Sequence, residues 1–371
     1  MMHFRRVKLS CSVLLVLSVF TASSQVDDST RVSSLKNLTL SAYFEFYAAV
    51  DVDNSNKHQR PYFLYNNTRT GELALNLGII RAGWINESMR GNIAMMTGTY
   101  AERNLATESK VFQHVYEANI GLKLSKRHKL WLDMGIFNSH LGFESAIGKD
   151  NPTLTRTISA ENSPYYETGA KLSLNSKDDK WLFSFLVLNG WQRIYKLDGN
   201  YYPAVGMQIN YKMSDKFQFN YSNYLGDESK DEDYGARFFQ DLYFTYQPLK
   251  RLTLCGAFDY GMQPDFSDDD WPMQYWYGWF AIAKVGLTDK LSVAFRAEQY
   301  NDPNEVIVIN QYADGFITNG YSLNVDYKIH PNALFRLEGR RLQGKEVTFE
   351  NRDGNYTNIY DGITACLSVV F

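Results

Sequence analysis

An all-β, transmembrane antiparallel β-barrel of about 16 strands is the fold this sequence predicts, and three observations predict it. Period-two alternation of apolar and polar residues recurs along the chain, while no segment sustains helical spacing over many turns. The alternating segments reach about 11 to 15 residues, where strands of globular sheets average about 5 to 6 and a tilted membrane-crossing strand needs about 9 to 11. The gaps between segments sort into short turns and long polar loops. That rhythm belongs to a barrel with periplasmic turns and extracellular loops.

The chain opens with Arg5, Arg6 and Lys8, an apolar run from Val13 to Phe20, and Thr-Ala-Ser-Ser at 21–24. This reads as a secretory signal peptide over 1–24, too short in its apolar run for a membrane-spanning helix. Cys11 precedes that run, so no lipoprotein signal is expected. Residues 25–37 follow as a short periplasmic extension, and 38–371 as the barrel.

The first strand is read at 38–52, where Leu38, Leu40, Ala42, Phe44, Phe46, Ala48, Val50 and Val52 share one face. Further strands are expected near 71–84, 88–100, 113–125, 129–139, 164–175, 180–193, 201–213, 216–226, 236–248, 251–262, 275–288, 290–301, 315–329, 333–343 and 358–371. Tight connections such as "NES", "MSDK", "TDK" and "HPN" alternate with loops near 53–70, 101–112, 140–163, 194–200, 227–235, 263–274, 302–314 and 344–357. A soluble two-sheet sandwich would have shorter strands and no such sorting of its connections. An array of repeated blades would show a shared repeat, and none is present.

The last segment, "NIYDGITACLSVVF", places Phe371, Val369, Leu367, Ala365 and Ile363 on one face. In hydrocarbon every backbone group must pair within the protein, so this strand must close on the first. The terminal Phe also looks like the signal by which barrel-assembly machinery recognises its clients.

Composition fits this reading and excludes others. The chain has 26 Tyr, 23 Phe and 7 Trp, yet its net charge is only -3, with 38 Lys+Arg against 41 Asp+Glu in no long run. Nucleic acid is therefore not an expected partner. Cys255 and Cys366 fall on strands that are not neighbours, so no disulfide is expected. The six histidines show no paired spacing for a metal, and no phosphate loop or nucleophile elbow occurs. No cofactor and no enzyme activity are expected; a hydrolase assembled from distant strands stays open as a lesser alternative. Tyr275, Tyr277 and Trp279 alternate outward as an interfacial aromatic belt, while Trp276 and Phe280 face inward, where they could line the mouth. Asp268, Asp269 and Asp270 read as a solvated loop, with divalent-cation binding at the lipopolysaccharide surface as the alternative.

The stretch "NSHLGFESAIGKDNPTLTRTISAENSPYYETGAKLSL" at 138–174, followed by "FLVLNGWQRI" at 185–194, resembles the OmpL-like β-barrel porin family of diderm bacteria. The resemblance rests on Gly142-Phe-Glu144, Asn151, Thr155-Arg156, Glu161, Ser163-Pro-Tyr-Tyr166, Gly169 and Asn189-Gly190-Trp191, and "YFEFYAAV" at 43–50 extends it over 38–371. It implies an outer-membrane porin, a water-filled pore for passive diffusion of small hydrophilic solutes, with no catalytic residues. A substrate-specific channel for a sugar or an anion is the main alternative, and adhesion a further one. Outer-membrane lipid and lipopolysaccharide are the expected partners, with assembly into a homo-trimer left open.

A barrel of this size has a backbone diameter of roughly 30 to 35 Å, too wide for side chains alone to narrow. The loop 140–163 is therefore expected to fold inward, with an outer cap as its alternative. Its Glu144, Asp150 and Glu161 are expected to face Arg296, Arg336 and Arg340 across the narrowest ring. Mixed lumen charge (Glu45, Asp133, Glu167, Asp241, Asp259, Glu298, Asp326 and Glu338 among Lys123, Lys171, Lys212, Lys284 and the three arginines) argues against the one-sided basic ladder of a strongly anion-selective, phosphate-type pore. Parity on the fourteenth strand predicts that Leu323 and Val325 face lipid and Asn324 faces water.

Overall fold

The computed structural model describes residues 36–52, 58–200, 202–228, 235–265, 270 and 272–371. The signal expected at 1–24, residues 25–35 of the extension expected at 25–37, and Asp268 and Asp269 of the acidic run lie outside the described residues. Residues Thr39–Phe371 form one compact unit.

Sixteen long strands close into a barrel. The first eight are β1 (Leu38–Asp51), β2 (Leu73–Ile85), β3 (Met89–Thr97), β4 (Val115–Lys123), β5 (Lys129–Asn138), β6 (Tyr166–Asn175), β7 (Trp181–Leu188) and β8 (Ala204–Ser214). They are followed by β9 (Phe217–Gly226), β10 (Arg237–Leu249), β11 (Leu252–Pro264), β12 (Met273–Gly286), β13 (Leu291–Asp302), β14 (Phe316–His330) and β15 (Ala333–Gly344). A small hairpin of β16 (Phe349–Glu350) and β17 (Tyr356–Thr357) interrupts the last loop before β18 (Ile359–Val370). Each barrel strand pairs with its sequence neighbour, and β18 joins β15 to β1, with Phe46 opposite Leu367 and Tyr47 opposite Cys366.

The faces of these strands invert the pattern of a soluble protein. Ile80, Ile93, Ile120, Phe185, Phe258, Phe295, Leu323, Leu337 and Ile363 point outward and are exposed, whereas Glu45, Glu167, Asn220, Ser222, Asp241, Arg296, Asp326, Arg336 and Glu338 point inward and are buried. Such a surface is stable only against hydrocarbon. Toward the loop end the outward face turns polar: Gln299 accepts from the Trp279 indole at 3.3 Å and donates to Asn319 at 2.9 Å, and Arg341 pairs with Asp361 through two 2.7 Å bonds. This marks the outer edge of the apolar band.

Two strands are shorter than their sequence pattern predicts. β3 stops at Thr97 because Gly98 takes φ +120°, a conformation L side chains avoid, and turns the chain into α1 (Thr99–Asn104). β7 stops at Leu188, where the Asn189 amide bonds the Ile194 carbonyl at 2.7 Å and closes a turn across the predicted continuation. The long loop carries a second short helix, α2 (Ile158–Glu161).

Candidate functional site

The loop between β5 and β6, residues 139–165, is built from its own side chains outward. Asn151 bridges both backbone groups of Ser145 at 2.8 Å each. Arg156 gathers three carbonyls, those of Leu154 at 2.7 Å, Ala146 at 2.6 Å and Ser145 at 3.2 Å. Burial works against its charge, but Glu45 and its other anionic neighbours raise its pKa above the ordinary arginine value. Thr157 caps α2 by accepting from Ala160 N–H, while Glu144 Oε2 accepts from Thr157 N–H at 2.8 Å and Thr157 Oγ1 at 2.6 Å.

This loop crosses the lumen and docks on the opposite wall. Arg336 donates to the carbonyls of Gly148 at 2.7 Å and of Asn151 and Pro152 at 3.1 Å, and Arg296 donates to Thr155 O at 2.5 Å. Glu338 accepts from Thr155 N–H at 2.6 Å, Glu298 from Ile158 N–H at 2.7 Å, and Asn324 Oδ1 from Leu154 N–H at 3.1 Å. Loop backbone has no ladder partner of its own, and each buried group left unpaired costs about 1 to 3 kcal/mol; the β13–β15 wall supplies those partners. Inward-facing glycines make room, since a Cβ on Gly206 would meet His140 Nε2 at 2.5 Å and one on Gly278 would strike Ser159.

The six residues expected to form a ring are therefore placed differently from the sequence expectation. Arg296, Arg336 and Arg340 have 0, 1 and 2 % of their side chains accessible and face no open gap. Arg340 pairs with Glu298 at 2.7 Å. Glu144 folds back on α2, and Glu161 turns to the first loop, accepting from Tyr65 N–H at 2.9 Å and Asn66 N–H at 3.1 Å. Burial pushes both of these carboxyls above the usual carboxylate pKa. Asp150 is exposed and pairs with Lys149. A guanidinium can be satisfied by carbonyls as well as by carboxylates, and charge patterning alone does not distinguish the two. Asn324 is likewise fully buried beneath the loop, so parity predicted its face but not its burial.

Above the loop an apolar cluster joins Phe63 and Leu64 of the first loop with Leu141, Ile158, Val308 and Phe349. It packs on inward Phe239, Trp276, Tyr300 and Phe316. Trp276 and Phe280 do face inward, but only 1 and 5 % of each is accessible, so they fill the barrel rather than line a mouth. Cys255 and Cys366 are buried free thiols.

The family described as "Putative beta-barrel porin-2, OmpL-like" matches residues 37–371. The chain belongs to this family. This OmpL-like porin is an outer-membrane barrel that provides a channel for small solutes. In structure it is similar to the anion-selective porin from Comamonas acidovorans, at TM-score 0.58 and 7 % identity, covering 90 % of this chain and 99 % of that one. It is similar to the outer membrane channel DcaP of Acinetobacter baumannii, at 0.57 and 9 %, covering 90 % and 97 %. A trimer form of Vibrio cholerae OmpT matches at 0.55 and 8 %, covering 90 % and 99 %. No curated protein matches the porin in sequence.

On the near wall of the porin, β2 to β6, charges remain in reach of water. Arg81 pairs with Glu117 at 3.0 Å and Arg90 with Asp133 at 2.5 Å, each arginine keeping 32 % of its side chain accessible. Arg90 lies 4.5 Å from the Trp131 ring centroid, and Lys171 lies 4.6 Å from that of Phe137. On this side Ala146 and Tyr165 of the loop pack with Leu77, Ile79, Met96 and Tyr116, beside a cavity bounded by Tyr116, Asn138, Phe143, Glu144 and Ala146. Arg81 and Arg90 stand at inward parity in β2 and β3, a signal available in the sequence but hidden by the more numerous charges of β12 to β15.

Proposed function

We propose that solutes pass the loop on its β2–β6 side, and that Arg81, Arg90 and Lys171, with Glu117 and Asp133, set the charge they meet. The observation that carries this is accessibility: the far-wall arginines are sealed under loop backbone, while Arg81 and Arg90 are a third open. Three cations against two carboxylates give a modest preference for anions, because charges lining a narrow aqueous passage set the potential an ion crosses. Glu144, Asp150, Glu161, Arg296, Arg336 and Arg340 then hold or flank the loop rather than select the solute.

Single-channel recordings in a salt gradient test this. Arg81→Gln with Arg90→Gln should move the reversal potential toward cations at nearly unchanged conductance. Arg296→Gln with Arg336→Gln should instead raise conductance and current noise by loosening the loop. Selectivity that ignores the first pair and follows the second would place the path on the far wall.

The role proposed is diffusive and not catalytic. His140, the histidine that pairs with an acid among the described residues, has both ring nitrogens engaged, by Glu167 at 2.9 Å and by the Asn223 carbonyl at 2.8 Å, which leaves none for a nucleophile. A homo-trimer is the assembly we propose, on the likeness to the trimer form of Vibrio cholerae OmpT.

A further inference from the structure

At the loop end of the barrel, the first, second, seventh and eighth loops enclose a cleft of about 190 Å³ above inward Tyr360. Gln59, Arg60, Tyr62, Arg103, Tyr312 and Phe349 supply its chemistry. Arg60 is buried, with Nε donating to Tyr360 Oη at 2.8 Å and lying 3.3 Å from Asp51, while its Nη2 has no partner among the described residues. Arg103 donates to Gln59 Oε1 at 2.5 Å and has no ion-pair partner among the described residues. Tyr312 stacks on Tyr356 with ring centroids 4.6 Å apart, and Tyr62 meets Phe63 edge-on at 5.3 Å.

We propose that this cleft binds a neutral sugar of monosaccharide size before it enters the lumen. Sugar hydroxyls both donate and accept, so a site for them needs planar groups of both kinds; the cleft offers the Arg103 guanidinium, the amides of Gln59 and Gln311, and tyrosine and threonine hydroxyls. The C–H faces of a sugar ring need apolar plates, which the half-buried Tyr62 and Tyr312 provide. Asp51 beneath Arg60 and Glu350 at the rim balance the two cations, so the cleft is not built to concentrate a free anion. Arg60, held by Tyr360 and Asp51, braces the floor of the cleft, and the exposed Arg103, Gln59 and Gln311 are the groups that meet the hydroxyls.

The proposal deepens the channel reading but is tested apart from it. Titration calorimetry of D-glucose into the detergent-solubilised protein should show saturable binding, weakened about tenfold by Arg103→Gln and abolished by Tyr312→Ala with Arg103→Gln, changes at an exposed position of α1 and a half-buried one of the seventh loop, both outside the barrel strands. Ethylene glycol should give no saturable heat. In planar bilayers, glucose on the loop side should interrupt the current of the native channel and not that of the double variant. Absence of binding, binding unchanged in the double variant, or tighter binding of D-glucuronate than of glucose would each overturn the proposal. Glucose binding without ion conductance would keep the site and refute the channel.

Discussion

At the scale of a residue, His140 shows how the lumen holds a charge that its burial disfavours. Its Nδ1 lies 3.0 and 2.9 Å from the two Glu167 oxygens and its Nε2 lies 2.8 Å from the Asn223 carbonyl, so both nitrogens must carry hydrogens. Burial lowers its pKa, but attraction and hydrogen bonding from Glu167 with help from Asn223 prevail and raise it, against a small opposing push from Lys171. A histidine raised in this way stabilises the fold fully below its unfolded pKa of about 6.5, and the contribution disappears as pH climbs through the folded value. His140→Gln should therefore cost about 1 to 3 kcal/mol at pH 6, with the gap to the native chain closing at alkaline pH. Urea titrations of the vesicle-inserted barrel across that range would show it; a gap independent of pH would mean the ring is neutral. The sequence displayed His140 at the root of the long loop, but its partners come from β6 and β9, some 27 and 83 positions on. No local spacing encodes such contacts, and for the same reason the arginines of β13 and β15 were legible as inward-facing while their carbonyl partners were not.

An element of this barrel is legible because its two faces meet different solvents. β14 spans Phe316–His330 where alternation predicts 315–329, and Leu323 is 55 % exposed beside Asn324 at 0 %. Leu323→Arg puts a charge on the lipid face and should destabilise the barrel by about 2 to 4 kcal/mol if that face lies near the midplane. Asn324→Arg would be mild in an open lumen. Here Asn324 accepts from Leu154 N–H and donates to Asp326 at 2.7 Å, so the larger side chain must displace the crossing loop. Folding titrations in lipid should find both variants weakened, and only Asn324→Arg should change single-channel conductance; unchanged conductance would detach the loop from that strand. What the period could not reveal are elements too short to have one. The six residues of α1, the four of α2 and the two-residue strands of the last loop are fixed by Gly98, by the Thr157 cap and by packing over the mouth.

For the whole molecule, the closing seam decides whether the barrel forms. Phe371 is 72 % exposed, exchanges backbone bonds of 2.9 and 3.1 Å with Ala42 and meets Phe44 edge-on at 6.3 Å. Its deletion should leave export intact and reduce heat-modifiable barrel in the outer membrane, since it removes an aromatic anchor from the seam; normal amounts would separate that residue from assembly. The seam also sets the order of events in time. Neighbouring strands elsewhere join through turns or loops, whereas Phe46 and Leu367 meet across almost the full chain. Bringing together ends some 320 residues apart carries an entropic toll of about 5 kcal/mol on the logarithmic scaling. Until that is met, β1 and β18 are two raw sheet edges, each a template for any strand that drifts past. Speed, then, is the hazard of this architecture: high contact order makes closure slow, and the porin's survival before insertion depends on keeping those two edges from other partners until they find each other.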